Sequence, residues 1–190
     1  MIKNVIFDIG NVLLDFCWKD HIARFGFQGE KADRIAQAMM LGPIWPKLDL
    51  GLESDEDILE QFVAHTPELE QEIRLVFSDL STIVREYEGS VDWIESLKAR
   101  GYHTYYLSNY GERIRREASK ELSFLSHMDG GIMSYTVHLA KPDPAIYQTL
   151  LDRYGLKAEE CVFLDDTVRN VEAAQALGIA GIVVTSQEQA

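Results

Sequence analysis

Residues 3–12, KNVIFDIGNV, hold the first sign of the architecture. Lys3-Asn4-Val5-Ile6-Phe7 is an apolar run that stops at Asp8, and the breakers Gly10-Asn11 follow at once. A run this short, bounded by an acid and a turn signal, reads as a buried strand. Past it the rhythm changes. From about Phe16 to Glu88 the apolar residues recur at helical spacing and no strand is expected. Ile35, Ala38 and Met39 make one stripe; Ile58, Leu59, Phe62 and Val63 make another, opened by Ser54 with Asp57 three residues on, a variant of the capping box. Leu69, Ile73, Val76 and Phe77 follow, then Leu80, Ile83 and Val84. Gly42-Pro43, Trp45-Pro46 and Thr66-Pro67 separate the helices.

From Ser90 strands and helices alternate. Helix 90–100 ends at Gly101, and strand 104–107 ends at Ser108-Asn109. Helix 112–122 precedes a strand at 131–134, helix 144–154 ends at Gly155, and strand 161–164 ends at Asp165-Asp166. Helix 168–177 and strand 181–184 close the chain, with the last few residues a loose tail. Such alternation predicts an α/β fold: a doubly wound, Rossmann-like parallel sheet with helices on both faces. The expected division is a core of 1–15 and 89–190, with 16–88 inserted as an α-helical cap over the carboxyl end of the first strand.

The 190 residues suit one domain of this kind with a modest insertion. At that size a chain buries roughly 70% of its unfolded surface and needs no disulfide or structural metal. Thirty-one acidic against eighteen basic residues give a formal charge of −13. That surface repels phosphate backbones and anionic lipids, so neither nucleic acid nor membrane is an expected partner. Oligomeric state is not encoded legibly. Cys17 and Cys161 match no metal or redox spacing and read as packed thiols. No apolar run approaches the ~18 residues that span a bilayer, and MIKNVIFDIG is too short in its apolar part for a secretory signal. The expectation is a cytoplasmic protein.

Asp8, Ser108-Asn109, Lys141 and Asp165-Asp166 fall at or just beyond predicted strand ends, which converge on one rim of a parallel sheet. Each alone has a bland reading: a turn cap, a helix N-cap, a solvated loop lysine, a helix-start acid pair. Together they supply what phosphoryl transfer needs. A carboxylate can attack phosphorus, a hard cation such as Mg²⁺ bridges the opposing negative charges, and an ammonium and a hydroxyl hold the phosphoryl oxygens. Two adjacent acids at a buried strand end are costly without a cation.

FDIGNV, LSN, AKPDPAIY and FLDDTVRNVEAA resemble, in order, the four motifs of the haloacid dehalogenase superfamily. The opening is similar to a branch of small-capped phosphatases that includes sugar-1-phosphate phosphatases. The resemblance implies a Mg²⁺-dependent phosphatase acting on a small phosphorylated molecule through an aspartyl-phosphate. It implies Asp8 as nucleophile and metal ligand, the Gly10 carbonyl, Asp165 and Asp166 as further metal ligands, and Ser108 and Lys141 in catalysis. Asn11, Ser108, Asn109 and Lys141 would hold the phosphoryl group, with Asn109 and Asn170 supporting the site.

One position departs from the family. Its usual pattern, D-x-D, puts the general acid two residues after the nucleophile, and here that residue is Gly10. The alternative proton sources are Asp15, water, or some residue of the 16–88 cap. The departure keeps other chemistry open: a phosphonate hydrolase, which would need a lysine such as Lys19, Lys31 or Lys47, a dehalogenase, or a non-catalytic binding protein. Trp18, Phe25, Trp45 and Tyr87 are candidates to line a substrate pocket. The five histidines show no metal-ligand spacing, and Arg113, Arg115 and Arg116 read as a solvated face or a phosphate-steering cluster.

Overall fold

The computed structural model describes residues 1–185, so the expected tail at 186–190 lies outside the described residues. The chain opens with β1 (Asn4–Phe7) and a short β2 (Leu14–Phe16). Five helices follow: α1 (Trp18–Arg24), α2 (Gly29–Ala38), α3 (Trp45–Leu50), α4 (Asp55–His65) and α5 (Glu70–Phe77). β3 (Val84–Glu86) then returns to pair antiparallel with β2. The remainder alternates through α6 (Ser90–Ala99), β4 (His103–Ser108), α7 (Glu112–Glu117), β5 (Gly130–Met133), α8 (Pro144–Tyr154), β6 (Cys161–Asp165), α9 (Val168–Ala176) and β7 (Ala180–Val183).

Five strands form one parallel sheet in the order β5-β4-β1-β6-β7. The chain works outward from β1 on one side and then restarts on the other, so the strand order reverses at β1. The carboxyl end of β1 is therefore the switch point where open α/β sheets hold ligands. Alternation along β1 splits its side chains between two layers. Val5 and Phe7 face a cluster that includes Trp93 and Ile94 of α6, with Phe7 edge-on to Trp93 at 4.8 Å between centroids. Ile6 faces the opposite cluster with Ile146, Tyr147 and Leu150 of α8 and Ala174 of α9. The sheet is covered on both faces, as a parallel sheet requires.

Two expectations for local structure are corrected. Val84 belongs to a strand, and Leu14–Phe16 is its partner, where the sequence suggests helix and loop. Three-residue strands carry too little periodicity to be read, and their pairing joins segments about seventy positions apart. Helix 112–122 also stops early: α7 ends at Glu117, and a 3₁₀ stretch over Ser119–His127 takes its place. The cap at Ser54 forms as its spacing predicts, with the Asp57 N–H donating to Ser54 Oγ at 3.1 Å.

Candidate active site

Register brings the acids together. Phe7 pairs with Tyr106 on one side and Leu164 on the other, so one step further Asp8 stands beside Asp165 and close to the end of β4. The Asp8 N–H donates to the Leu164 carbonyl at 2.8 Å, which carries the pairing past the end of the strand. Asp8 Oδ1 accepts from Ser108 Oγ at 2.7 Å and from the Ile9 N–H at 2.7 Å.

Lys141 lies between the carboxylates. Its Nζ is 2.8 Å from Asp8 Oδ1 and 2.6 Å from Asp165 Oδ2, with Lys141 only 3% and Asp165 0% exposed. Asp165 is saturated: the Thr167 N–H donates to Oδ1 at 2.8 Å, and Asn170 Nδ2 reaches both oxygens at 3.0 and 3.1 Å. Asn109 fixes the lysine's backbone, accepting from the Lys141 N–H at 2.7 Å and donating to its carbonyl at 3.0 Å. Burial works against the charge on Lys141, yet Asp8 and Asp165 together hold it above its ordinary range. Burial also raises the Asp8 carboxyl and outweighs the pull of Lys141, so the pocket favours a further positive charge beside Asp8.

Asp166 points elsewhere and accepts from Asn11 Nδ2 at 2.9 Å. Asn11 is in the left-handed region at φ 56°, which asparagine tolerates. Asp8, Asp165 and Asp166 each offer a carboxylate oxygen, and these oxygens lie within 4.8 Å of one another. An all-oxygen donor set of this kind suits a hard cation such as Mg²⁺. Asn170 Oδ1 is buried beside the cluster without a partner, an acceptor of the sort that a water of a hydrated cation satisfies.

These groups open onto a cavity of about 260 Å³ lined by Asp8, Gly10, Asn11, Ser108, Asn109, Lys141, Asp166 and Asn170. Phe16, Trp45, Asp49, Val84, Tyr110 and Ile114 line it as well. Every sequence-derived site residue except Asp165, which lies behind Lys141, borders this cavity. Of the aromatic candidates Trp45 lines it, whereas Trp18, Phe25 and Tyr87 do not. Arg113 and Arg116 are engaged with Glu117 and Asp55. Lys19, Lys31 and Lys47 do not border the cavity, and Lys31 and Lys47 pair with Glu72 and Glu53. Asp15 turns away, with Cys17 Sγ donating to its carboxylate at 3.2 Å. Asp49 and Tyr110 were not legible in sequence. No motif marks Asp49 in WPKLDLG, and only tertiary structure reveals that it borders the cavity.

A family model described as a haloacid dehalogenase-like hydrolase matches residues 2–178. The chain is 26% identical over 188 residues to the sesquiterpene phosphatase astK of Aspergillus oryzae, covering 96% of this chain and 90% of that one. It is 24% identical over 189 residues to (S)-2-haloacid dehalogenase 1 of a Pseudomonas strain, covering 93% and 82%. Its fold is similar to a HAD family enzyme of Bacteroides thetaiotaomicron solved with magnesium and inorganic phosphate, with a TM-score of 0.74 and 22% identity, covering 98% of this chain and 96% of that one. Among the described residues no helix is long and apolar enough to cross a membrane. The match runs from the first strand to the end of α9 and so takes in every group at the switch point: the chain belongs to the haloacid dehalogenase-like hydrolases.

Proposed function

We propose that this hydrolase is a Mg²⁺-dependent phosphatase that cleaves a small phosphomonoester, a sugar phosphate among the candidates, through a phosphorylated Asp8. The observation that carries the reading is the buried Lys141 ammonium held at once by Asp8 and Asp165. It leaves one carboxylate, Asp8, at the floor of an open cavity with cationic and hydroxyl support around it. The phosphatase relative and the fold neighbour solved with magnesium and inorganic phosphate support the same reading.

In this reading Asp8, the Gly10 carbonyl and Asp166 hold the ion, with Asp165 beside them acting chiefly through Lys141, because its own oxygens are already committed. When bound, the ion offsets the repulsion between the carboxylate and the anionic ester. Asp8 attacks phosphorus. Lys141 orients Asp8 and faces the phosphoryl oxygens, and Ser108 donates to the same group. Removing one such donor typically costs ~10²–10³ in turnover. Asn11 and Asn109 complete the phosphoryl pocket, Asn109 mainly by fixing the Lys141 backbone. The 16–88 segment serves as the cap, and with Trp45 it selects the substrate and excludes bulk water. The buried free thiols of Cys17 and Cys161 suit a reducing, cytoplasmic setting.

The dehalogenase alternative gains nothing from the carboxylate cluster, which calls for a cation, and the phosphonate alternative has no cavity lysine besides Lys141. The test is release of inorganic phosphate from p-nitrophenyl phosphate and a panel of sugar phosphates, with Mg²⁺ or with EDTA. Wild type releases phosphate only with Mg²⁺, and Asp8→Asn abolishes release. A folded, magnesium-loaded wild type that releases none from any ester refutes the reading.

A further inference from the structure

An in-line attack by Asp8 puts the departing oxygen on the far side of the phosphoryl group. Asp8 lines the cavity from the end of β1, and the same cavity is lined by Trp45 and Asp49 of α3 and by Tyr110 after β4, so these groups remain to meet that oxygen. A phosphatase needs a proton donor there, and the usual position for one is Gly10. A Cβ built on Gly10 would meet nothing within 4 Å, so the place of the missing side chain is open volume continuous with the cavity.

Among the described residues three carboxyl groups border the cavity. Asp8 and Asp166 belong to the oxygen cluster at the floor, and the third is Asp49 on α3. Among the described residues nothing donates to the Asp49 carboxyl or pairs with it. Its backbone is nevertheless held firmly. Ser134 Oγ donates to the Asp49 carbonyl, and His138 Nδ1 donates to the Leu50 carbonyl at 2.8 Å. Gly51 ends α3 in the left-handed region, so close to Tyr135 that a Cβ there would lie 2.9 Å from the tyrosine's own. These anchors all come from the segment that follows β5, so the core itself positions an unpartnered acid on the cavity that Asp8 also lines.

We propose that Asp49 is the proton donor and acceptor of this enzyme, filling the role of the acid that Gly10 cannot supply. The assignment rests on the phosphatase reading above. An Asp8 oxygen bonds to phosphorus as the bond from phosphorus to the ester oxygen breaks. That bond's electron pair stays on the ester oxygen, which takes the Asp49 proton and leaves as an alcohol. The Asp49 carboxylate then takes a proton from water as the water oxygen bonds to phosphorus. The bond from phosphorus to Asp8 breaks, its electrons return to the carboxylate, and phosphate departs with Asp49 protonated again. Asp8 and Lys141 are the titratable groups that act on Asp49, and Asp49 in turn helps to push up the Tyr110 hydroxyl. Burial first, and the Asp8 charge second, push the Asp49 carboxyl up to about 7 against the pull of Lys141. A group so poised is partly protonated at neutral pH, as general acid–base exchange requires.

The experiment compares kcat/KM of the Mg²⁺-loaded wild type and Asp49→Asn on p-nitrophenyl phosphate and on the best alkyl phosphate of the panel. A nitrophenolate leaves with little help, whereas an alkoxide needs a proton. Asp49→Asn lowers kcat/KM on the alkyl ester by ~10²–10⁴-fold and on the aryl ester far less. On the alkyl ester, wild-type kcat/KM falls as rising pH deprotonates Asp49, and the variant lacks that limb. Gly10→Asp in the Asp49→Asn background recovers part of the alkyl rate, since the space for it is open. An equal loss on both esters, or none, overturns Asp49 while leaving the phosphatase standing; so does a wild type that cleaves only the aryl ester. A wild type inert toward every ester removes the phosphatase reading and this assignment together.

Discussion

Lys141 is the residue on which the site's electrostatics turn. It is one buried cation between two buried carboxylates, and each of the three is unfavourable alone. Lys141→Met keeps much of the side-chain volume but strands Asp8 and Asp165 without their counter-ion. Breaking a buried pair from one side costs about 3–5 kcal/mol, so the midpoint of urea unfolding falls sharply at neutral pH. Adding Asp165→Asn to Lys141→Met removes one stranded charge and restores part of that loss. If the single variant unfolds at the wild-type midpoint, the triad is not held as tightly as its distances imply. Asp8, Ser108 and the Asp165-Asp166 pair were legible because each closes a short apolar strand, whereas Lys141 lies in a loop and was legible only with them, through the AKPDPAIY motif. That Asp165 is also held by Lys141, Asn170 and Thr167 was not, since it depends on which oxygen faces which neighbour.

At the scale of elements, the sheet is set by apolar runs whose ends coincide with polar residues. That is why β1, β4, β6 and β7 could be placed within a residue or two from sequence, along with α8 and α9. β2 and β3 could not be placed: LDF and VRE are defined by pairing with each other, and no local pattern announces them. β5 shows how tightly the core elements pack. A Cβ on Gly131 would overlap both the ring and the carbonyl of Tyr106 on β4, while the Gly131 N–H donates to Tyr154 Oη at 2.8 Å. Gly131→Ala therefore separates β5 from β4, costing about 1–3 kcal/mol as overpacking does. β4 ends in Ser108, so the same change loosens Ser108 from Asp8. The expected signature is a lower melting temperature together with lower turnover. A variant as stable as wild type would mean that the β4–β5 contact relaxes without strain.

Across the whole molecule, the helical segment and the sheet share one apolar cluster. It runs from Val5 and Phe7 in β1 through Leu13 and Ile22 to Phe62 and Phe77 in α4 and α5. Phe62 is central: fully buried, 6.2 Å from the Trp45 ring and 5.7 Å from the Phe77 ring. Trp45 lines the cavity, and Asp49 lies one turn further along α3, so the packing of Phe62 also supports the far wall of the site. Phe62→Ala should cost about 3–5 kcal/mol, the range for emptying a large aromatic site. Amide hydrogen exchange tells how that loss is distributed. If the helical segment and the sheet unfold as one unit, the opening free energies of α4 and β1 fall by the same amount, because the most protected amides report global unfolding. If α4 alone becomes labile while β1 keeps its protection, the helical segment opens by itself. The cap closure proposed above would then draw on that local opening, and turnover would fall more steeply than global stability.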